Sequence, residues 1–480
     1  MNGQWMKQIR HRTGAVTEME QTTAKKNKYE IDMCNGTIMD KLISFSLPLM
    51  LSGILQLMFN AVDIIVVGRF SGSQALAAVG STSALINVFT NLFIGISLGA
   101  NVLTARFYAA GREKEVSETV HTAITLALVS GIVMALVGLV FSKGALALMG
   151  TPDDVIGLSA LYMRIYFLGM PFFMLYNYGA AILRAVGDTK RPLLFLMIAG
   201  VINACLNMVL VIVFKLGVAG VAIATVISQM ISCVLVLRCL CRSESSYRLR
   251  FSELGMKGYY LKQIFSVGVP AGIQSTVINF SNVLLQSSVN SFGSTAMAGY
   301  TAANNLLGFL YVSVNSITQA CMSFTSQNYG VGKLKRMDRV LADCMILSVV
   351  VAVVLGCICY GFGPEILQIY TEDAEVIACG MEILAYTTIT YFLCGWMDLF
   401  PGALRGMGYS AVPMVLSVIG TVGTRVVWIF GIFPYHRSLA ILFISYPASW
   451  IITIVLQVIC FYFVRRRVHR RSQALAGQEG

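Results

Sequence analysis

The chain has 480 residues, 56% of them hydrophobic and only 12% charged, with a mean hydropathy of +0.73. Soluble domains carry about 25% charged residues, so this composition excludes a soluble globule and indicates an all-α polytopic membrane protein. The net charge of +12 does not point to nucleic acid, because the basic residues fall in alternate loops and the loops between them are nearly devoid of them.

Residues 1–42 are polar and basic, with no apolar run before Leu42, and are expected to be a cytosolic tail rather than a signal peptide. About 20 apolar residues span the hydrocarbon core. On that rule the first half, 43–239, holds six helices at roughly 43–69, 79–104, 119–142, 159–183, 192–214 and 217–239. A charged cytosolic linker follows at 240–262. The second half, 263–463, repeats the pattern at roughly 263–289, 300–326, 340–363, 379–404, 412–433 and 438–463, and a basic tail occupies 464–480. Both termini are expected on the cytosolic side of the membrane, since Arg106, Arg112, Lys114, Lys190, Arg191 and Arg465 to Arg471 mark the inside loops. Pro171, Pro401 and Pro447 fall inside spans, where each removes a backbone hydrogen bond and invites a bend.

The two halves are copies. Leu183-Arg184-Ala185-Val186-Gly187 ending at Pro192 recurs as Leu404-Arg405-Gly406-Met407-Gly408 ending at Pro413, 221 residues later. Tyr108 and Gly111 fall on Tyr329 and Gly332 at the same offset, while Pro48 and Asn60 fall on Pro270 and Asn282 at 222. Six helices per half is an even number, so the repeats are parallel rather than inverted.

Asp63 is the sharpest chemical signal. A carboxylate inside a membrane span costs about 2.5–3.5 kcal/mol, and such groups face the bundle interior or a wet cavity. At about 1.5 Å per residue it lies roughly 30 Å along its helix, towards the outer side. Ser52, Gln56, Asn60 and Asp63 share one helix face by their spacing. The repeat-related position is Leu285, so the halves are chemically unequal. Asp398 and Arg425 are further charges within spans and read either as a structural ion pair or as a second site beside Tyr391, Trp396 and Trp428. Asn177, flanked by Tyr176 and Tyr178, is the repeat partner of Asp398 and a candidate cavity-lining position, as are Gln56, Asn279 and Asn282. The twelve cysteines lie mostly in apolar runs without metal or disulfide spacing, and His11, His121, His436 and His469 sit in tails or at membrane borders. No cofactor, metal or enzymatic residue set is expected. Gly95-Ile96-Ser97-Leu98-Gly99 has the nucleophile-elbow spacing but lies mid-helix, where two glycines four apart instead suit close helix packing.

The paired Leu-Arg-x-x-Gly-x-x-x-x-Pro motifs, Val62-Asp63-Ile64-Ile65-Val66-Val67-Gly68, Asn328-Tyr329-Gly330-Val331-Gly332 and the Gly217 to Thr225 stretch together resemble the multidrug and toxic compound extrusion (MATE) family, most like its bacterial DinF-like branch. The resemblance covers about residues 40–463. It implies twelve transmembrane helices in a V-shaped pair of six-helix bundles, working as a monomer that exports small amphipathic, often cationic, organic compounds against inward H+ or Na+. It also implies an ion-coupling role for Asp63, with Asn207 and Thr225 matching the family's partners; Asn60, on the Asp63 face, and Asn203, one turn before Asn207, are further candidates by position, Asn203 equally as a helix-packing residue. The family branch often carries an acid where this chain has Val211. Sodium wants several charged oxygens whereas a proton needs one carboxylate, so this departure favours H+. A lipid-linked oligosaccharide or lipid flippase of related architecture is the alternative implied by the two-bundle plan.

Overall fold

The computed structural model describes residues 29–476, so the readings for residues 1–28 and 477–480 lie outside the described residues. All regular structure within that range is helical. The first repeat contains α1 (Met39–Phe70), α2 (Ser73–Ala109), α3 (Glu113–Leu148), α4 (Asp153–Leu168), α5 (Met170–Ala185), α6 (Lys190–Asn207) with a π-helical continuation at Met208–Val213, and α7 (Gly217–Cys241). The second contains α8 (Gly258–Asn290), α9 (Ser294–Gly330), α10 (Leu334–Gly361), the short α11 (Gly363–Gln368), α12 (Ala374–Thr387), α13 (Tyr391–Gly406), α14 (Ala411–Ser417), α15 (Thr424–Val427) and α16 (Leu439–Ala476). Two π-helical segments, Val418–Gly423 and Trp428–Ile432, flank α15 and make one composite span with α14.

Among the described residues, eight helical spans are long and apolar enough to cross a membrane, and two bent pairs bring the number to ten. The remaining two of the twelve expected segments are α8 and α9, which are long enough but richer in Ser, Thr, Asn and Gln. The last helix runs on to Ala476, so the described part of the expected basic tail continues the span as helix.

Two compact units divide the described residues: one comprises 45–104 and 113–276, the other 29–44, 105–112 and 277–476. Within the former, α3 packs on α4 and α5, and α7 on α4, α5 and α6. The latter repeats the plan, with α10 on α13, α13 on α9 and α16, and α9 on α12.

The repeated Leu-Arg-x-x-Gly motif closes a helix the same way twice. Gly187 (φ 97°) and Gly408 (φ 90°) are left-handed, a conformation costly to any residue with a Cβ. The next amides reach back, Asp188 N to Leu183 O at 2.9 Å and Tyr409 N to Leu404 O at 2.9 Å, giving a Schellman-type closure in each repeat. Pro192 and Pro413 then fall in the first turn of the following helix, where a missing N–H costs nothing.

Only one of the two bends lies beside a proline. The first bent pair breaks at Gly169, two residues before Pro171 in the first turn of α5, and turns by 47°. Its counterpart turns by 51° between Thr387 and Tyr391 with no proline at the break, while Pro401 and Pro447 lie within unbroken helices. The Thr390 hydroxyl donates to Tyr386 O (2.8 Å), and Leu384 O accepts both the amide (2.9 Å) and the hydroxyl (2.6 Å) of Thr388.

Residues 30–36 are an ordered strap rather than a free tail. Met33 is fully buried, and Tyr108 donates to Glu30 at 2.8 Å. Lys333 and Arg336 reach the carbonyls of Cys34 (2.9 Å), Asn35 (3.0 Å) and Gly36 (2.9 Å), and Asn328 that of Met33 (3.1 Å). The 240–262 linker is docked as well: the Arg250 amide donates to His121 Nε2 at 3.0 Å, and Lys257 pairs with Glu118. No disulfide joins any of the twelve cysteines among the described residues.

Gly95 and Gly99 serve the close packing that their spacing predicts. A Cβ on Gly95 would lie 2.3 Å from Gly272 Cα, one on Gly99 2.2 Å from Ile264 O, and one on Gly268 2.4 Å from Ile96 Cα. Backbones this close leave no room for a side chain. Gly268→Leu is therefore expected to lower the melting temperature of the purified protein by several degrees, consistent with an overpacking cost of about 1–3 kcal/mol. Gly80→Ala, whose Cβ meets nothing within 4 Å, should melt like the parent; equal melting of both variants would remove this crossing from the fold's support.

Candidate functional site

Three helices of the first repeat bring their polar residues to one place. Asp63 projects from α1, Asn203 and Asn207 from successive turns of α6, and Thr225 from α7. Asn207 Nδ2 donates to Asp63 Oδ1, and also to Asn203 Oδ1 at 3.1 Å. Asn203 Nδ2 reaches Thr225 Oγ1 at 3.5 Å. The Thr225 hydroxyl has one proton and two acceptors, Asp63 Oδ2 at 3.3 Å and Val221 O at 3.0 Å. Asp63 (8% exposed), Asn203 (5%) and Asn207 (0%) are buried, yet among the described residues no Lys, Arg or His forms an ion pair with Asp63.

Two details make this more than a packed polar cluster. The carboxylate charge is met only by neutral donors, in surroundings where an unmatched charge is costly. The buried Asn207 Oδ1 accepts no hydrogen bond at all, which leaves an acceptor beside the carboxylate. The arrangement can therefore hold one small cation, either a proton on Asp63 or a metal ion shared among oxygens.

Local backbone helps to build it. Immediately after Asn207 the α6 ladder loosens into the π-helical Met208–Val213 segment, an irregularity frequent at functional sites. Val211 lies there, buried at 3% and apolar, so no second acid joins Asp63 from that segment. Gly200, two turns before Asn207, has its Cα faced by the Phe59 ring, which lets α6 approach α1 closely.

Of the five residues expected around the ion, Asn60 is the exception. It is exposed and has no hydrogen bond to the cluster, because residues three apart are offset by about 60° around the helix and Asn60 turns out of the buried side of α1; Gln56 is exposed too. The expected polar face of α1 is thus buried at Asp63 alone.

The second repeat differs from expectation at its charges. Asp398 and Arg425 form no ion pair. Arg425 instead donates from Nη1 to Ser281 Oγ (2.8 Å) and Asn282 Oδ1 (2.7 Å), and its guanidinium lies over the Tyr446 ring, 4.8 Å from the centroid. The guanidinium acting on Asp398 is that of Arg405, about two α13 turns further on. Asn279 is exposed and unconnected to either charge.

Most of the aromatic candidates spend their polar ends on backbone. Tyr176 donates to Pro192 O (3.3 Å), Tyr391 to Leu307 O (3.3 Å), Trp396 to Met345 O (3.2 Å) and Trp428 to Ile441 O (2.8 Å). Asn177 bonds back to Phe173 O at 2.8 Å, and Tyr178 is fully buried. These are ties between or along helices, as interior amphipathic rings commonly make. Ser281, Tyr300 and Tyr446, which complete the surroundings of Arg425, escaped sequence reasoning; the repeat offset that carries Thr225 onto Tyr446 was the available signal.

Comparison with known proteins places this geometry. The chain is 32% identical over 434 residues to the "Probable multidrug resistance protein YoeA" of Bacillus subtilis, covering 88% of this chain and 93% of that protein. It is 22% identical over 382 residues to the "Multidrug export protein MepA" of Staphylococcus aureus, covering 79% and 84%. The fold matches a solved outward-facing multidrug resistance MATE family transporter of the MOP superfamily at a TM-score of 0.84, with 19% identity over 94% of this chain and all of that one. A model of the MatE family matches residues 48–209 and 270–430, one stretch in each repeat. With both repeats matched and the Bacillus relative aligned over most of its length, the chain belongs to the MatE family of multi-pass membrane transporters.

Proposed function

We propose that this transporter, a member of the DinF-like branch, exports small amphipathic, cationic organic compounds in exchange for protons bound at Asp63. The observation that carries the reading is a buried carboxylate hydrogen-bonded to Asn207 and Thr225 with no basic partner. Such a group changes its net charge on taking up one proton, and a change of charge in low dielectric biases a two-state helix bundle. Asn207 and Thr225 come from α6 and α7 while Asp63 comes from α1, so protonation acts directly on how these three helices hold together. Sodium is the second candidate ion, since Asn207 Oδ1 offers a spare oxygen; the apolar Val211 weighs against it. The protein works as a monomer with both termini cytosolic in the bacterial plasma membrane, and it needs no resident cofactor. The drug-resistance and drug-export names of its relatives weigh against the flippase alternative.

Proteoliposomes loaded with ethidium test the coupling. A proton gradient imposed alone should drive ethidium movement, a sodium gradient alone should not, and Asp63→Asn should abolish the proton-driven flux. Sodium-driven flux in the parent would assign the site to sodium instead, and undiminished flux in Asp63→Asn would remove Asp63 from coupling.

The same variant separates coupling from folding. Asp63→Asn keeps the size and removes an uncompensated charge, so its melting temperature is expected to equal or exceed that of the parent while transport is lost. Thr225→Val, which removes one weak hydrogen bond, should slow proton-driven flux severalfold without abolishing it, consistent with about 0.5–1.5 kcal/mol.

A further inference from the structure

The second repeat contains a buried polar cluster at the position equivalent to the ion site, and its charge is reversed. The repeat offsets carry Asn60 onto Asn282, Asp63 onto Leu285, Asn203 onto Thr424, Asn207 onto Trp428 and Thr225 onto Tyr446. Leu285 is fully buried in the apolar core, so the acid has no counterpart. Arg425 stands there instead, held by Ser281 and Asn282 from α8 and by the Tyr446 ring from α16, with Tyr446 and Tyr300 hydroxyls 2.8 Å apart behind it. The π-helical loosening recurs as well, on both sides of α15.

A guanidinium that is 3% exposed within a membrane span needs an anion or several acceptors. Here Nη1 makes both hydrogen bonds, to neutral oxygens. Nε is buried without a partner, and Nη2 has no hydrogen bond among the described residues. No carboxylate lies within ion-pair distance of Arg425 among those residues. Nε and Nη2 together form the edge of arginine that pairs in parallel with the two oxygens of a carboxylate. The cation–π contact to Tyr446 fixes the plane of that fork without neutralising it.

We infer that the Arg425 cluster is an anion site that takes the carboxylate group of a small organic solute on its free Nε–Nη2 edge. This gives the second repeat a binding chemistry opposite to that of the first, and it does not depend on which cation Asp63 takes. It widens the class of transported compounds from organic cations to solutes that carry a carboxylate, zwitterions included.

Equilibrium dialysis of the purified full-length chain against radiolabelled benzoate, in chloride-free detergent buffer, tests the site. Benzoate should bind saturably, and benzamide, with the same ring but no charge, should bind at least about tenfold more weakly. Arg425→Gln should abolish saturable binding. Arg425→Lys, which keeps the charge but lacks the fork, should weaken it about tenfold. Asp63→Asn should leave it unchanged, so a failure of the coupling reading and a failure of this one give different patterns. Equal binding of benzoate and benzamide would overturn the assignment, and that comparison needs no variant. So would benzoate affinity that survives in both Arg425 variants, or displacement of benzoate by chloride at equal concentration, which would make the site one for halide.

Discussion

Within the hydrocarbon layer a charge without an ion-pair partner is among the most expensive things a side chain can contribute, and among the described residues both repeats keep such charges, Asp63 in the first and Arg425 in the second. Asp63 is met by an amide and a hydroxyl, and Arg425 by a hydroxyl, an amide oxygen and an aromatic ring. Neutral dipoles of this kind lower the cost of a charge without cancelling it, so each site stays responsive to an ion of opposite sign. A salt bridge in either place would have given a more stable helix bundle with nothing left to bind. The surrounding helices have to be rigid enough to hold these dipoles in place. The Schellman closures at Gly187 and Gly408 and the glycine crossing at Gly95, Gly99, Gly268 and Gly272 supply that rigidity from backbone alone.

The repeat explains how two opposite chemistries can share one design. Each copy loosens the same span into π-helix, next to Asn207 in one case and on both sides of Arg425 in the other. A π turn spreads the side chains around the helix and frees backbone geometry locally, whatever those side chains are. Duplication therefore hands down a place where polar groups can be aimed inward, and leaves the sign of the charge to single positions such as Asp63 and Leu285.

Much of this was legible in the chain itself, for definite reasons. The long apolar runs gave the helices, because a span must be both long and apolar; only α8 and α9, diluted with hydroxyl and amide residues, are less apolar than that rule asks. Asp63, Asn203, Asn207 and Thr225 could be grouped through the family resemblance, and the structure brings these four together. Asn60 could not be separated from them by spacing, since residues three apart on a helix differ by a large enough rotation to put one inside and the other out. The Asp398–Arg425 pair failed because opposite charges in neighbouring spans look like partners in one dimension, whereas rotamer and depth send Arg425 to α8. Of the three prolines expected to bend spans only Pro171 lies beside a bend, and the second bend falls at 388–390, a stretch without proline.

The strap at residues 30–36 has a consequence for how such proteins diverge. Lys333, Arg336 and Asn328 grip four consecutive main-chain carbonyls, and every amino acid offers that same oxygen. Met33 is fully buried, and the Glu30 and Asn35 side chains accept hydrogen bonds from Tyr108 and Lys333. The carbonyl half of the clasp is indifferent to the strap's own letters, and the memory of that part of the contact is kept in the basic residues that hold it. The family match begins at residue 48, beyond the strap. A docked element of this kind is inherited through its receptor, so a relative that shares the clasp is best recognised by a lysine and an arginine three residues apart at the start of α10, whatever precedes its first span.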